Sequence, residues 1–180
     1  MSFVLQPAEL KNEFVTIRPL KEDDFETLYS VASDPLIWEQ HPNKNRYQQE
    51  VFQTYFDGAM ESGGAFLAFD AGTGEAIGSS RFYEYDEDKR SIAIGYTFLA
   101  RDHWGTIYNR AFKSLMLQHA FKFVDHVIFH IGAENIRSQK AIEKLGADKI
   151  GEVKMEYYGE EEKLNFIYQI SKGNWQILEY

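Results

Sequence analysis

The sequence predicts a mixed α/β (α+β) fold: a twisted, mostly antiparallel sheet flanked by helices, with one parallel strand pair that splays apart. Three observations carry this prediction. Between residues 65 and 100, runs rich in β-branched and aromatic residues are separated by Ala71-Gly72-Thr73-Gly74 and by Asp86-Glu87-Asp88-Lys89-Arg90, the pattern of an antiparallel meander. An amphipathic segment, 108–124, then separates the apolar run 91–100 from a short β-branched run, 125–131, and a helical crossover between neighbouring strands makes them parallel. Two further runs, 150–158 and 164–170, flank the charged turn 159–163 and close the chain as a hairpin.

With 180 residues, 44% hydrophobic and 16% aromatic, the chain is long and apolar enough for one domain, 1–180, around one sizeable core. Twenty-eight acidic against nineteen basic side chains give a formal charge of -9, which disfavours nucleic acid and favours cationic partners. The chain has no cysteine, so a disulfide framework, a thiolate metal site and a cysteine-bound intermediate are all excluded. Met1-Ser2-Phe3-Val4-Leu5 lacks a basic flank, and no run approaches the ~20 apolar residues of a membrane-spanning helix, so a cytoplasmic protein without membrane contact is expected.

Taken in order, the alternating run Phe14 to Leu20 predicts the first strand, closed by Pro19. A helix over 22–33 places Phe25, Leu28, Tyr29 and Ala32 on one face, and Asp34-Pro35 ends it. Pro35 to Asn43 reads as a loop unusually rich in large and polar side chains, of which Trp38, Glu39 and His41 are candidates to line an acceptor pocket. A second helix over 46–62 carries Val51, Phe52, Tyr55, Phe56 and Ala59, and Gly63-Gly64 breaks it. Strands follow at 65–70, 75–85 and 91–100. The longest helix, 108–124, buries Ala111, Phe112, Leu115, Met116, Ala120 and Phe123, and a last helix, 135–145, has Asn135 as N-cap and Gly146 as its stop.

The loop from Ala100 to Arg110 turns a buried strand into the longest helix. Such a junction aims free backbone N–H groups and the positive end of the helix dipole at one spot, which suits an anion. The stretch 103–124 holds Arg110, Lys113 and Lys122 and no acid at all. Because the flanking strands are parallel, this loop and the one at 132–135 meet at the carboxyl edge of the sheet, where ligands of such sheets bind. His126 and His130 have the spacing of a helical zinc pair but fall in a strand without a third ligand, so no metal is implied.

Phe14-Val15-Thr16-Ile17-Arg18-Pro19, Ile94-Gly95-Tyr96, Trp104-Gly105 and, most specifically, Asn135-Ile136-Arg137-Ser138 through Gly146-Ala147 resemble the GNAT acetyltransferase superfamily, in its RimJ/RimL-like branch. The resemblance spans nearly the whole chain. It implies acetyl-CoA as co-substrate, with Phe98 and Leu99 meeting the pantetheine arm, Trp104, Gly105, Thr106, Ile107, Tyr108 and Asn109 the pyrophosphate, and Asn135 the arm or the acetyl end. Ser138 becomes the candidate acid for the departing thiolate, since Ile142 stands where other branches carry a Tyr. Ile107 and Asn109 replace small residues of the usual cofactor loop, and Ala93 stands where many relatives carry a base, for which Glu84, Asp86, Glu39 and His41 are substitutes.

The leading expectation is an N-acetyltransferase moving acetyl directly to a primary amine, a small molecule or a protein N-terminus, in a ternary complex, from a monomer or homodimer. The alternative is a regulatory acyl-CoA-binding protein that keeps the fold without the proton-transfer groups. A net charge of -9 is expected to draw cationic amines towards the cleft. Trp38 and Glu39 are the expected acceptor contacts, with Tyr157 and Tyr158 on the closing hairpin as the other place to look.

Overall fold

The computed structural model describes residues 4–156 and 161–175. Its strands are β1 (Leu10–Lys11), β2 (Val15–Pro19), β3 (Ala65–Asp70), β4 (Ala76–Asp86), β5 (Ser91–Leu99), β6 (His126–Gly132), β7 (Asp148–Glu156) and β8 (Glu162–Ser171). The helices are α1 (Phe25–Ala32), α2 (Gln49–Glu61), α3 (Tyr108–Ala120) and α4 (Ile136–Glu143). The strands form one eight-stranded sheet in the order β1-β2-β3-β4-β5-β6-β8-β7. All neighbours are antiparallel except β5 and β6, the pair joined by the α3 crossover. Tyr157, Tyr158 and the first half of the predicted turn 159–163 lie outside the described residues.

Each face of the sheet carries a core, and β3 shows why. Its side chains alternate, so Phe66 and Ala68 enter one core with α3 and α4, while Ala65 and Leu67 enter the other with α1 and α2. Among the described residues no helix is long and apolar enough to cross a membrane. Gly146 stops α4 at φ +87°, a conformation that is nearly free for glycine and strained for other residues.

Several expected boundaries shift for local reasons. The predicted helix 22–33 begins as a 3₁₀ turn, Glu22–Asp24, pinned by a two-pronged ion pair in which Arg18 donates at 2.7 Å to each carboxylate oxygen of Asp24. The second helix begins at Gln49 rather than 46, because Arg46 turns inward to the rings of Trp38 and Tyr55. The predicted helix 108–124 unwinds after Ala120 into turns that deliver the chain to β6, which leaves it equal in length to α2. β1, only two residues long, is too short to leave a periodic signature.

Two features shape the open half of the sheet. β5 and β6 pair over only three positions, Ser91–His126 to Ala93–Ile128, and then diverge. In the same stretch β4 and β5 lose register between Ser79 and Arg81, where Ser80 faces both Tyr96 and Thr97 in a bulge. Tyr96 takes a left-handed φ of +53°, a conformation costing of order 1–3 kcal/mol for a non-glycine residue. It is held there by Tyr55, whose hydroxyl donates to the Tyr96 carbonyl at 2.6 Å, and by the Arg81 guanidinium 3.7 Å over its ring. Gly95 beside it leaves room for the Tyr83 ring, which a Cβ would meet at 2.9 Å.

Asp70, at the end of β3, ties the meander to the start of α3. Its carboxylate accepts from the backbone of Gly72 and Thr73 at 2.7 and 3.1 Å and from the Tyr108 hydroxyl at 2.6 Å. The Tyr108 bond is the main reason its pKa falls from 3.8 to about 2. A depressed carboxylate stabilises the fold fully above its unfolded pKa and loses that contribution as pH falls through the folded value. Replacing Asp70 by Ala removes about 1–3 kcal/mol of charged hydrogen bonding. Thermal melts of Asp70→Ala should therefore lie roughly 2–10 °C below wild type at pH 7, with the gap narrowing as pH drops from 4 towards 2.

Candidate active site

Where β5 parts from β6, the sheet opens into a cleft of about 620 Å³. The two strands form its walls, α3 closes it on one side and α4 on another. Phe98 and Leu99 line it from β5, and Trp104, Gly105, Thr106, Ile107 and Asn109 line it from the loop and first turn of α3. Asn135 and Ser138 line it from the start of α4. These expected residues are brought together as the parallel crossover requires.

The α3 terminus is built for an anion. Ile107 is the N-cap without a side-chain cap bond, so first-turn N–H groups lack intrahelical acceptors. No acid stands in that turn. The loop before it is braced: the Trp104 indole donates to the Leu99 carbonyl at 2.9 Å, and the Arg137 guanidinium lies 3.8 Å over the Trp104 ring. Arg137 also donates to the Ile37 carbonyl at 2.9 Å, joining α4, the loop before α3 and the 35–37 turn.

Charge in the cleft is opposite to that of the chain. Its lining contains Arg110, Lys113, Arg137, Lys140 and Lys144 and no Asp or Glu, although the protein as a whole carries -9. The expectation that net charge draws cations into the cleft is therefore corrected: the acids lie elsewhere, and the local field favours anions.

Several candidates fall outside the cleft. Trp38 is 1% exposed, packed on Phe98 and donating its indole N–H to the Ala32 carbonyl at 2.7 Å, so it is core and presents no face to a substrate. Glu39 does not line the cleft, but pairs at 3.6 Å with Arg137, which does. Tyr108 turns its ring away, edge-on to His103 at 4.4 Å, to reach Asp70. Glu84 is exposed and does not line the cleft, and Asp86 is engaged with Lys89 at 2.8 Å. Asn135 does line it, but its amide oxygen is spent as the N-cap, accepting from Ser138 N–H at 3.1 Å.

His41 lines the cleft with its imidazole 3.3 Å from the Arg46 guanidinium. Burial, then the charges of Arg46 and Arg137, hold its pKa well below 6.5, which makes it a weak proton acceptor. Another cleft imidazole is His130, which the sequence pattern presents only as a metal ligand. It lines the cleft from the end of β6, its Nδ1 2.9 Å from the Tyr83 hydroxyl and 4.0 Å from a Glu84 carboxylate oxygen. Burial lowers its pKa and Glu84 partly opposes this, so the ring is mostly neutral at pH 7.

The comparisons bear on this arrangement. A search of curated protein sequences finds no match. Among solved structures, an acetyltransferase from T. thermophilus matches with a TM-score of 0.76 at 22% identity, covering 94% of this chain and 92% of that one. Mycobacterium smegmatis RimJ, solved with CoA-disulfide, matches at 0.70 and 17% identity over 92% of this chain and 86% of its own. Spermidine N-acetyltransferase from Vibrio cholerae, solved with CoA and spermine, matches at 0.68 and 17% over 91% and 98%. Identities this low carry the fold. The family model described as an acetyltransferase (GNAT) domain covers residues 15–148, and on that match the chain belongs to the GNAT acetyltransferase family.

Proposed function

We propose that this protein is an acetyl-CoA-dependent N-acetyltransferase of the RimJ/RimL-like branch, transferring acetyl directly to a primary amine within a ternary complex. The observation that carries this reading is the acid-free, basic cleft between the splayed strands, opened at one end by the α3 terminus. The donor set fits acetyl-CoA. First-turn N–H groups of α3 and Gly105 suit the pyrophosphate, Arg110, Lys140 and Lys144 suit phosphate charge, and Phe98, Leu99 and Asn135 suit the apolar and amide parts of the arm. Ile107 and Asn109 do not spoil this, because phosphate needs only their backbone donors.

When bound, acetyl-CoA supplies an activated acyl group, and the chain supplies orientation and proton transfer. Beyond Ala93, β5 has no β6 partner, so its backbone groups face the cleft and can polarise a carbonyl. His130 takes the proton from the incoming ammonium. With Nδ1–H directed to the Tyr83 oxygen and Glu84 nearby, Nε2 keeps its lone pair for the amine, and Glu84 steadies the imidazolium that forms. Ser138, on the first turn of α4, is the cleft hydroxyl assigned to protonate the departing sulfur. With no cysteine in the chain, direct attack by the amine is the economical path.

The acceptor is a small-molecule amine or a protein N-terminus. An acid-free lining does not offer the carboxylates that a polycation needs, so an acceptor with one amine suits it better than a polyamine.

Four outcomes test the reading. Calorimetric titration with acetyl-CoA should show binding, and a concentration a hundredfold above Kd should add about 2.7 kcal/mol of stability; no heat and no melting shift would sink it. His130→Gln should lower kcat at pH 7 by roughly 10²–10⁴-fold without changing KM for acetyl-CoA, with recovery at higher pH where the amine is already free. The wild-type acid limb should lie below pH 6.5, because the ring is harder to protonate than free imidazole. In an acceptor panel, kcat/KM for peptides with a free N-terminus should exceed that for spermine, and the reverse order would place acids in the acceptor path.

A further inference from the structure

Lys113 stands on the second turn of α3, facing the β4–β5 bulge, and lines the cleft. It is 3% exposed, and among the described residues no carboxylate pairs with it. Instead its Nζ donates to Ser80 Oγ at 3.3 Å and to Thr97 Oγ1, the hydroxyls of the residues that oppose one another across the bulge. Those hydroxyls also meet at 2.7 Å, and Ser80 donates to the Gly95 carbonyl at 3.2 Å. The Phe129 ring lies 5.7 Å from Nζ on the opposite, β6 wall of the cleft.

A buried ammonium with no counter-charge gives up its proton readily, and burial alone brings this one from 10.5 to about 7. At pH 7 its neutral fraction is then roughly a thousandfold that of an exposed lysine. A neutral amine has two N–H bonds and one lone pair. Ser80 and Thr97 occupy the two donors, so the lone pair is left free for the cleft. A structural clamp on the bulge explains the two hydrogen bonds. It does not explain an amine without a counter-charge in the wall of the cleft.

We propose that Lys113 is an internal acetyl acceptor: in the absence of an amine substrate, a thioester held in the cleft transfers its acetyl group to Lys113 Nζ. This rests on the cleft binding acetyl-CoA as described above. The Nζ lone pair forms the C–N bond as the C–S bond breaks with its electrons going to sulfur. The surplus proton on nitrogen passes to the thiolate, leaving N-acetyl-lysine and free CoA thiol, with no other reactant needed. Acetylation places two further carbons at the cleft floor and removes a cationic group from it, so the modified protein holds acetyl-CoA less well.

The test is incubation of the full chain with acetyl-CoA at pH 7 without acceptor, followed by intact mass and peptide mapping, with calorimetric titration of the same sample. One added acetyl group should map to Lys113, resist neutral hydroxylamine as an amide does, and exceed the occupancy of any other lysine at least about tenfold. Excess CoA should suppress it, and Lys113→Met should lack it. Trace labelling with acetic anhydride in the absence of CoA should also mark Lys113 ahead of the exposed lysines at pH 7 once rates are normalised to the denatured chain. Binding of acetyl-CoA with no acetylation, a hydroxylamine-labile ester at Thr97, or label spread over Lys140, Lys144 and other lysines would each overturn the proposal while leaving the transferase reading intact. Absence of acetyl-CoA binding would overturn both.

Discussion

The early divergence of β5 from β6 is the constraint on which the site depends. A parallel pair joined by a helix would continue pairing for as long as both strands ran, and here it stops after three positions although both strands continue. The bulge at Tyr96–Thr97 is where β5 bends, and that bend stands on a tyrosine in the left-handed region. The strain is offset locally by the Tyr55 hydroxyl and the Arg81 guanidinium, both supplied from the α2 side of the sheet. One core thus holds the strand bent, and the other core, with α3 and α4, occupies the side on which the cleft opens. Disturbing the Tyr55–Tyr96–Arg81 group would relax the walls before it touched any residue of the chemistry.

Charge is segregated on the same lines. An acidic surface disfavours nonspecific contact with polyanions, while the cleft gathers five cations and no acid. The arrangement separates two tasks that a net charge cannot describe together. A whole-chain sum is dominated by exposed side chains, whose interactions salt screens over about 8–10 Å, so it does not report the charge of the lining.

What was legible in the sequence was what is local or topological. The caps at Asn135 and Gly146 are one-turn events, and both sit as their residue types require. The parallel pair followed from a helix lying between two β-branched runs, and with it came the placement of the loop before α3 beside α4. What stayed hidden depends on long-range juxtaposition. His130 is at the carboxyl edge by topology, but what makes it the proposed base is its contact with Tyr83 and Glu84 from β4. Trp38 looked like a pocket residue because its loop is rich in polar neighbours; its indole finds a core partner in the Ala32 carbonyl, which composition cannot show. Lys113 was visible as a charge on a helix, and nothing in its periodicity told that it faces the bulge.

That last residue shows how the site and the core compete. Depressing a lysine from 10.5 to about 7 costs the fold on the order of 5 kcal/mol at neutral pH, a sum comparable with the net stability of an ordinary domain. Because the unfolded chain binds the proton more tightly, stability rises with pH between about 7 and 10.5. A methionine of similar length would fill the same space without that cost. Two neutral hydroxyls match the two N–H donors of the neutral amine, but they cannot return the solvation of the ammonium charge. The position therefore departs from what packing alone would select, and departures of this kind gather where a protein meets its ligand. Here that place is the bulge, where strand strain, a buried amine and the open cleft meet within a few residues.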